Sequence, residues 1–145
     1  MIDISNIQLS TNNNTNLYKA KHNVIMFHLT SKKNATNILK NGFDVSLSKR
    51  GAFGLGINLT TDINHLKHYY TNKTNYIVIC MVKYNKRQKN SSGPEVIKEN
   101  GEEYTKPKYN KPSKGYDILY VPGVNIYVVP KSEQVIPIMI AKIKF

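Results

Sequence analysis

Apolar, strand-like segments alternate with helical patterns in the first half of the chain, and strand patterns dominate the second half. The segment Asn23–Leu29 is short, apolar and β-branched, which predicts a buried strand. The run NYIVICMVKY at 75–84 is apolar without alternation, which predicts a strand buried on both faces. Three later segments are also strand-like: DILYVP, IYVVP and QVIPIMIAKIKF. This order predicts an α+β fold whose strands come mostly late.

Two helices are predicted between the first strands. In SKKNATNILKN, Ser31 is placed to cap the first turn, apolar residues follow at helical spacing, and Gly42 stands where a left-handed C-terminal residue is favoured. The segment TDINHLKHYY predicts the second helix. Its apolar residues share one face, namely Ile63, Leu66, Tyr69 and Tyr70.

The length of 145 residues predicts one folded domain, at 23–145. Residues 1–22 are rich in Asn and Thr and predict a partly ordered lead-in, with a short strand at Ile2–Leu9. Residues 85–115 carry three prolines, three glycines and many charges. They predict a long surface loop, with at most a short strand at Glu95–Lys98.

The formal net charge of +12 adds a possible class of partner, because such a surface attracts nucleic acid or acidic proteins. Codon composition is an alternative explanation, since Lys, Asn and Ile are all favoured by A/T-rich codons. Arg50 and Arg87 are the two arginines of the sequence. Sequence-specific reading of DNA is therefore not expected, because bidentate base contacts favour Arg.

The number of cysteines and the hydropathy of the sequence indicate the cellular compartment. Cys80 is the single cysteine, which excludes an intrachain disulfide framework and a Cys-rich zinc site. The four histidines lack a ligand set, so no metal is expected. There is no apolar run of 18 residues and no secretory signal pattern at the N-terminus. We expect an intracellular protein of the cytoplasm or nucleus, monomeric and without a membrane partner.

Four segments carry the candidate chemistry, in order along the chain. The first is FHLTSKKNATNILKNGF, at 27–43, in which His28 ends an apolar strand. The second is the turn Gly54-Leu55-Gly56-Ile57-Asn58. Tyr69 follows eleven residues after Asn58, and the chain closes with IYVVPKSEQVIPIMIAKIKF at 126–145.

Together, these segments resemble the catalytic domain of the poly(ADP-ribose) polymerase family of ADP-ribosyltransferases. The family has His-Gly-Ser/Thr before a helix that ends in Gly-Leu/Phe, then Gly-x-Gly-Ile-Tyr, then a tyrosine eleven residues later. Its closing strand pattern includes a Tyr, a Gln and a Pro, which stand here as Tyr127, Gln134 and Pro137. The resemblance covers roughly Asn23 to Phe145. It implies two packed, mainly antiparallel sheets with flanking helices, and a cleft between His28 and the segment Gly54–Asn58.

The resemblance also implies NAD as co-substrate and three catalytic positions. His28 stands where the family's histidine anchors the adenosine ribose. Asn58 replaces the tyrosine that stacks on nicotinamide, and Ile126 replaces the glutamate that stabilises the transition state. Leu66 stands where a serine contacts the carboxamide. The implied NAD-binding positions are Leu29, Thr30, Phe53, Gly54, Gly56 and Tyr69.

Three functions follow as hypotheses. The first is an NAD-dependent mono-ADP-ribosyltransferase acting on a protein or nucleic-acid acceptor, because polymer formation needs the missing glutamate. The second is a catalytically silent relative that binds NAD, ADP-ribose or nucleic acid. The third is a small basic nucleic-acid-binding module. Structural roles stay open as well: His28 as a core histidine, Tyr69 as a core aromatic, and the glycines as hairpin residues.

Overall fold

Ten strands dominate the computed structural model, which describes residues 2–11, 18–47, 53–99 and 101–145. Part of the predicted lead-in, 12–17, and the start of the glycine-rich turn, 51–52, lie outside the described residues. The strands are β1 Asp3–Leu9, β2 His22–Thr30, β3 Ile57–Thr60, β4 Tyr76–Tyr84, β5 Arg87–Lys89, β6 Ser92–Glu99, β7 Glu102–Pro107, β8 Ile118–Val121, β9 Ile126–Val129 and β10 Val135–Lys144. The helices are α1 Lys32–Asn41 and three short 3₁₀ helices, Val45–Leu47, Ile63–His68 and Ser132–Gln134.

Eight of the strands form a single mixed sheet in the order β1-β10-β4-β2-β3-β9-β8-β5, and β6 pairs with β7. The predicted α+β fold of two packed sheets with flanking helices is therefore wrong. Only 17% of the described residues are helical, and β2 joins β3 edge to edge where Phe27 pairs with Thr60. The pattern of hydrophobic residues predicts individual strands but not which strands pair with each other. It therefore could not show that β2 and β3 belong to one sheet.

β4 lies near the centre of the sheet and supplies both faces of the core. Every second residue, from Tyr76 to Tyr84, joins the cluster covered by α1. Ile77 and Ile79 belong to the cluster on the opposite face, beneath the Ile63–His68 helix. The predicted burial of this strand on both faces is confirmed, since all its residues are buried or partly buried.

Helix α1 begins and ends as its sequence predicts. The Ser31 hydroxyl accepts a hydrogen bond from the backbone N–H of Asn34 at 3.2 Å. Gly42 has a φ of 80°, and its N–H donates to the carbonyl of Ile38. Leu39 faces the sheet, so one side of α1 covers β4 and β10.

The second predicted helix is a shorter 3₁₀ helix. The Asp62 carboxylate caps it by accepting from the N–H of Asn64 at 3.0 Å. The N–H of His65 donates to the carbonyl of Asp62, three residues earlier, which is the hydrogen bond of a 3₁₀ helix. The helix ends at His68, which leaves Tyr69 outside it.

Residues 85–115, expected to form a long loop, contain β5, β6 and β7. Asn90 explains part of this order because it is buried and joins distant segments. Its side-chain amide donates to the carbonyls of Phe53 and Tyr109, and its oxygen accepts from the N–H of Tyr109. Proline and glycine content alone did not reveal these long-range bonds.

Candidate active site

The predicted site residues converge where β2 meets β3. A pocket of about 270 Å³, which we call the apolar pocket, is lined by six of the predicted positions and further apolar side chains. The six are His28, Leu29, Phe53, Asn58, Tyr69 and Ile126. They come from β2, β3, β9 and two connecting segments. These six positions are distant in the sequence and lie around one cavity, within a single sheet rather than between the two packed sheets that the resemblance implies.

A second cavity, which we call the polar pocket, shares His28 and Asn58 with the apolar pocket. Its volume is about 400 Å³. Two more predicted positions line it, Thr30 and Gly56. Gly54 lines neither pocket and instead packs against the side chain of Leu119. The two pockets therefore adjoin at His28 of β2 and Asn58 of β3.

His28 is held in one orientation at this contact. Its Nδ1 lies 2.8 Å from the backbone carbonyl oxygen of Asn58. A carbonyl oxygen can only accept a hydrogen bond, so Nδ1 carries the proton and donates it. Nε2 of the neutral ring is then an acceptor that a ligand hydroxyl can use. Phe43 packs edge-on against the imidazole, with ring centroids 5.3 Å apart.

The environment of His28 favours its neutral form. Burial lowers the pKa of His28 below its ordinary value, and the hydrogen bond to Asn58 opposes this shift to a smaller extent. His28 is thus uncharged at pH 7, which suits a hydrogen-bond acceptor more than a cation.

This lowered pKa makes the free energy of unfolding depend on pH. Below about pH 6.5 the unfolded chain binds a proton that folded His28 does not, so stability falls as the pH falls from 7.5 to 5.5. The slope reaches at most about 1.4 kcal/mol per pH unit for this one group. Urea unfolding at several pH values should show a flatter profile for His28→Asn than for His22→Asn. Equal slopes in both variants would contradict a half-buried His28 whose pKa is lowered.

Two glycines bring Asn58 into the site. Gly54 has a φ of 123° and Gly56 has a φ of 147°, backbone conformations that other residues rarely adopt. A Cβ at Gly56 would lie 2.3 Å from the carbonyl oxygen of Val129. The chain must therefore pass very close to β9 just before β3 begins. A role of the glycines as hairpin residues alone would not require this close approach.

Ile126 reaches the apolar pocket because Thr60 of β3 pairs with it on β9. Ile126 is 7% exposed and packs with Leu119 and Val128. None of the described residues that line the apolar pocket is acidic. The pocket can bind an uncharged or aromatic group, but its described walls hold no carboxylate that could stabilise a developing positive charge.

Tyr69 lies at the end of the Ile63–His68 helix and is 51% exposed. This exposure argues against a purely structural role in the core, and its ring can stack on a ligand that enters the apolar pocket. Leu66, which lines the same pocket, is buried. The leucines at 29 and 66 make the inner part of the cavity apolar.

Sequence reasoning missed several polar residues of these pockets. Asn34 and Asn37 line the polar pocket from α1, and Asp44 lines it from the segment after α1. Their spacing of three residues on a capped helix was the available signal, since it places both amides on one side. His65 also lines the apolar pocket, and the sequence analysis considered the histidines only as metal ligands.

No protein-family model and no curated protein matches this sequence. Within the described ranges, no group of three or more His, Cys, Asp or Glu side chains is arranged to hold a metal ion. None of the helices in the described part of the chain combines the length and apolar character that a membrane crossing requires. The side chains around the two pockets are therefore the basis for a functional conclusion.

Proposed function

We propose that the two pockets bind NAD⁺ and that the protein transfers single ADP-ribose units from it to a protein or nucleic-acid acceptor. The observation that carries this proposal is the pair of pockets that share His28 and Asn58, whose contact is a hydrogen bond. One pocket is apolar and aromatic, and the other is lined by amides, a hydroxyl and the carboxylate of Asp44. A dinucleotide with one nicotinamide half and one adenosine half has matching requirements.

The residues of this chain fit such a ligand. The apolar pocket is small for a complete ligand, since ordinary ligand pockets span about 300–1,000 Å³, but it suits a nicotinamide ring beside Tyr69. In the polar pocket, Thr30, Asn34 and Asn37 offer donors and acceptors to an adenosine ribose and base. Nε2 of His28, at the boundary, can accept a hydrogen bond from a ribose hydroxyl.

The proposed reaction breaks the bond between C1′ of the ribose and the nicotinamide nitrogen, and forms a bond between C1′ and the acceptor. Nicotinamide leaves with the bonding electron pair, and the acceptor loses its proton. His28 and the polar pocket hold the ADP-ribose part, while Tyr69 and the leucines enclose the leaving group. No carboxylate occurs among the described residues of the apolar pocket, so we expect slow transfer of single units.

The basic surface supports an acidic acceptor. Lys111 and Lys131 line a further cavity of about 360 Å³, which shares Gly56 with the polar pocket. An acceptor with phosphate or carboxylate groups would be attracted to these charges. We place this activity inside the cell, where NAD⁺ is available and a buried free thiol such as Cys80 stays reduced.

Replacing His28 tests the binding step. His28→Ala removes one buried hydrogen bond to the ligand, so NAD⁺ binding should weaken by about 0.5–1.5 kcal/mol, or roughly two- to tenfold. Isothermal titration calorimetry measures this change. His22→Ala is the matched control, because His22 is exposed at the start of the same strand and lines neither pocket. If the wild-type protein binds no NAD⁺ at millimolar concentration, the proposed function is wrong.

Transfer is tested with NAD⁺ labelled in its adenylate phosphate. The wild-type protein is incubated with mixed protein and RNA acceptors, and mass spectrometry counts the units attached at each site. We expect one ADP-ribose unit per site. Chains of several units would contradict the assignment to single-unit transfer.

A second candidate is a protein that binds NAD⁺ or ADP-ribose without turnover. It is favoured by the apolar Ile126 and by the exposed Asn58, which has no aromatic face for nicotinamide. Calorimetric binding of NAD⁺ together with no transfer to any acceptor would support this candidate over the transferase.

A further inference from the structure

The imidazole of His65 contains a buried polar atom without a partner. Its Nε2 is enclosed, and no described group lies within hydrogen-bond distance of it. Buried polar atoms almost always have a partner, because an unsatisfied one costs about 1–3 kcal/mol. A ligand-binding residue often carries such an atom in the unliganded protein.

His65 also lines the apolar pocket. It reaches the pocket from the Ile63–His68 helix, whereas His28 reaches it from β2. Its ring contacts are aromatic edges, with His68 at 5.5 Å and Tyr69 at 5.7 Å between centroids. Neither of these contacts accounts for Nε2, so packing does not explain why a polar ring stands at this position.

Two other polar groups of the pocket already have hydrogen-bond partners within the protein. The hydroxyl of Thr60 accepts from the N–H of Asp62 at 3.1 Å and lies 3.4 Å from the carbonyl of the same residue. Nδ1 of His28 donates to Asn58. Nε2 of His65, in contrast, is buried and has no hydrogen-bond partner among the described residues, so a ligand in the pocket could supply one.

We propose that His65 is a ligand-binding residue, and that its Nε2 hydrogen-bonds the nicotinamide riboside half of NAD⁺. This inference rests on the proposed function, and it assigns His65 to one half of the ligand because His65 lines the apolar pocket and not the polar one. The χ2 torsion of histidine is broad, so the ring turns toward a ligand at small cost. His65 thereby supplies a polar contact in a pocket whose Ile126 offers none.

The variants His65→Leu and His68→Leu test the assignment. His68 lies three residues further on the same helix, is exposed, and does not line the pocket, so it is the matched control. We expect the Kd for NAD⁺ to rise about two- to tenfold in His65→Leu and to stay within about twofold of wild type in His68→Leu. The Kd for ADP, which lacks the nicotinamide riboside half, should not change.

Thermal unfolding separates this role from a structural one. His65→Leu removes an unsatisfied buried polar atom, so its Tm without ligand should equal or exceed that of the wild type. Loss of both Tm and ADP binding would assign His65 to the structure and overturn the proposal. Unchanged NAD⁺ binding in His65→Leu would also overturn it, while leaving the proposed function intact.

A measurement on the wild-type protein covers the case in which His65→Leu does not fold. Titration of NAD⁺ into protein labelled with ¹⁵N in the imidazole rings should shift the Nε2 resonance of His65, and ADP should leave it in place. The resonance of His68 is the internal reference. No shift of His65 at saturating NAD⁺ would overturn the proposal, whereas failure of NAD⁺ to saturate any site would refute the proposed function itself.

Discussion

Gly56→Ala is expected to destabilise the protein by about 2–6 kcal/mol. A residue with a Cβ at a φ of 147° is strained by about 1–3 kcal/mol. The added atom would also lie 2.3 Å from the carbonyl oxygen of Val129 and 2.8 Å from its carbon, and overpacking of this kind costs about 1–3 kcal/mol more. Since total stability is usually about 5–15 kcal/mol, much of the chain would be unfolded or the start of β3 displaced.

Urea unfolding followed by circular dichroism measures this loss. Gly123→Ala is the control, because a Cβ there meets nothing within 4 Å and its φ is not in the left-handed range. Its free energy of unfolding should stay within about 0.5 kcal/mol of wild type. If Gly56→Ala were as stable as Gly123→Ala, β3 could not approach β9 as closely as described, and the placement of Asn58 in the site would be wrong.

The double substitution Asn58→Tyr and Ile126→Glu is expected to raise the rate of NAD⁺ cleavage by about 10²-fold or more. A single group that stabilises the transition state is typically worth 10²–10³ in rate. The tyrosine would supply an aromatic face at the exposed position 58, and the glutamate would supply the carboxylate that the described walls of the pocket lack. The effects should be non-additive, since both side chains line the same pocket and would contact the same half of the ligand.

Release of nicotinamide from NAD⁺ measures this gain in activity. Asn58→Tyr combined with Ile126→Gln is the control, because glutamine has the size of glutamate without its charge. This control should gain far less than the glutamate variant. If the double variant binds NAD⁺ but cleaves it no faster than wild type, the cavity has diverged beyond these two positions. Leu29 and Leu66 then exclude the reactive geometry, and the binding-only candidate is correct.

Several elements could be predicted from residues that are close together in the sequence. Ser31 and Gly42 predicted the ends of α1, because caps depend on a few neighbouring residues. The apolar run at 75–84 predicted β4 and its burial on both faces. His28, Asn58 and Ile126, the three catalytic positions that the resemblance implies, all line the apolar pocket, and their catalytic role stays a prediction.

The pairing of strands that are distant in the sequence could not be predicted from local patterns. The register of Phe27 with Thr60, which merges the strands into one sheet, depends on tertiary context. The regular structure within 85–115 depends on the long-range hydrogen bonds of Asn90 and on the parallel pairing of β5 with β8. Neither can be predicted from neighbouring residues in the sequence. His65 was missed for a similar reason, since only the structure shows that its Nε2 is enclosed without a partner.

The sheet has a weak line where β2 meets β3. These strands share a single register pair, whereas β2 and β4 share nine. This line divides the sheet into two four-stranded halves, and the two pockets draw on residues from both halves. A ligand that contacts both halves would stabilise their pairing across this line, so the free energy of unfolding should rise with ligand concentration.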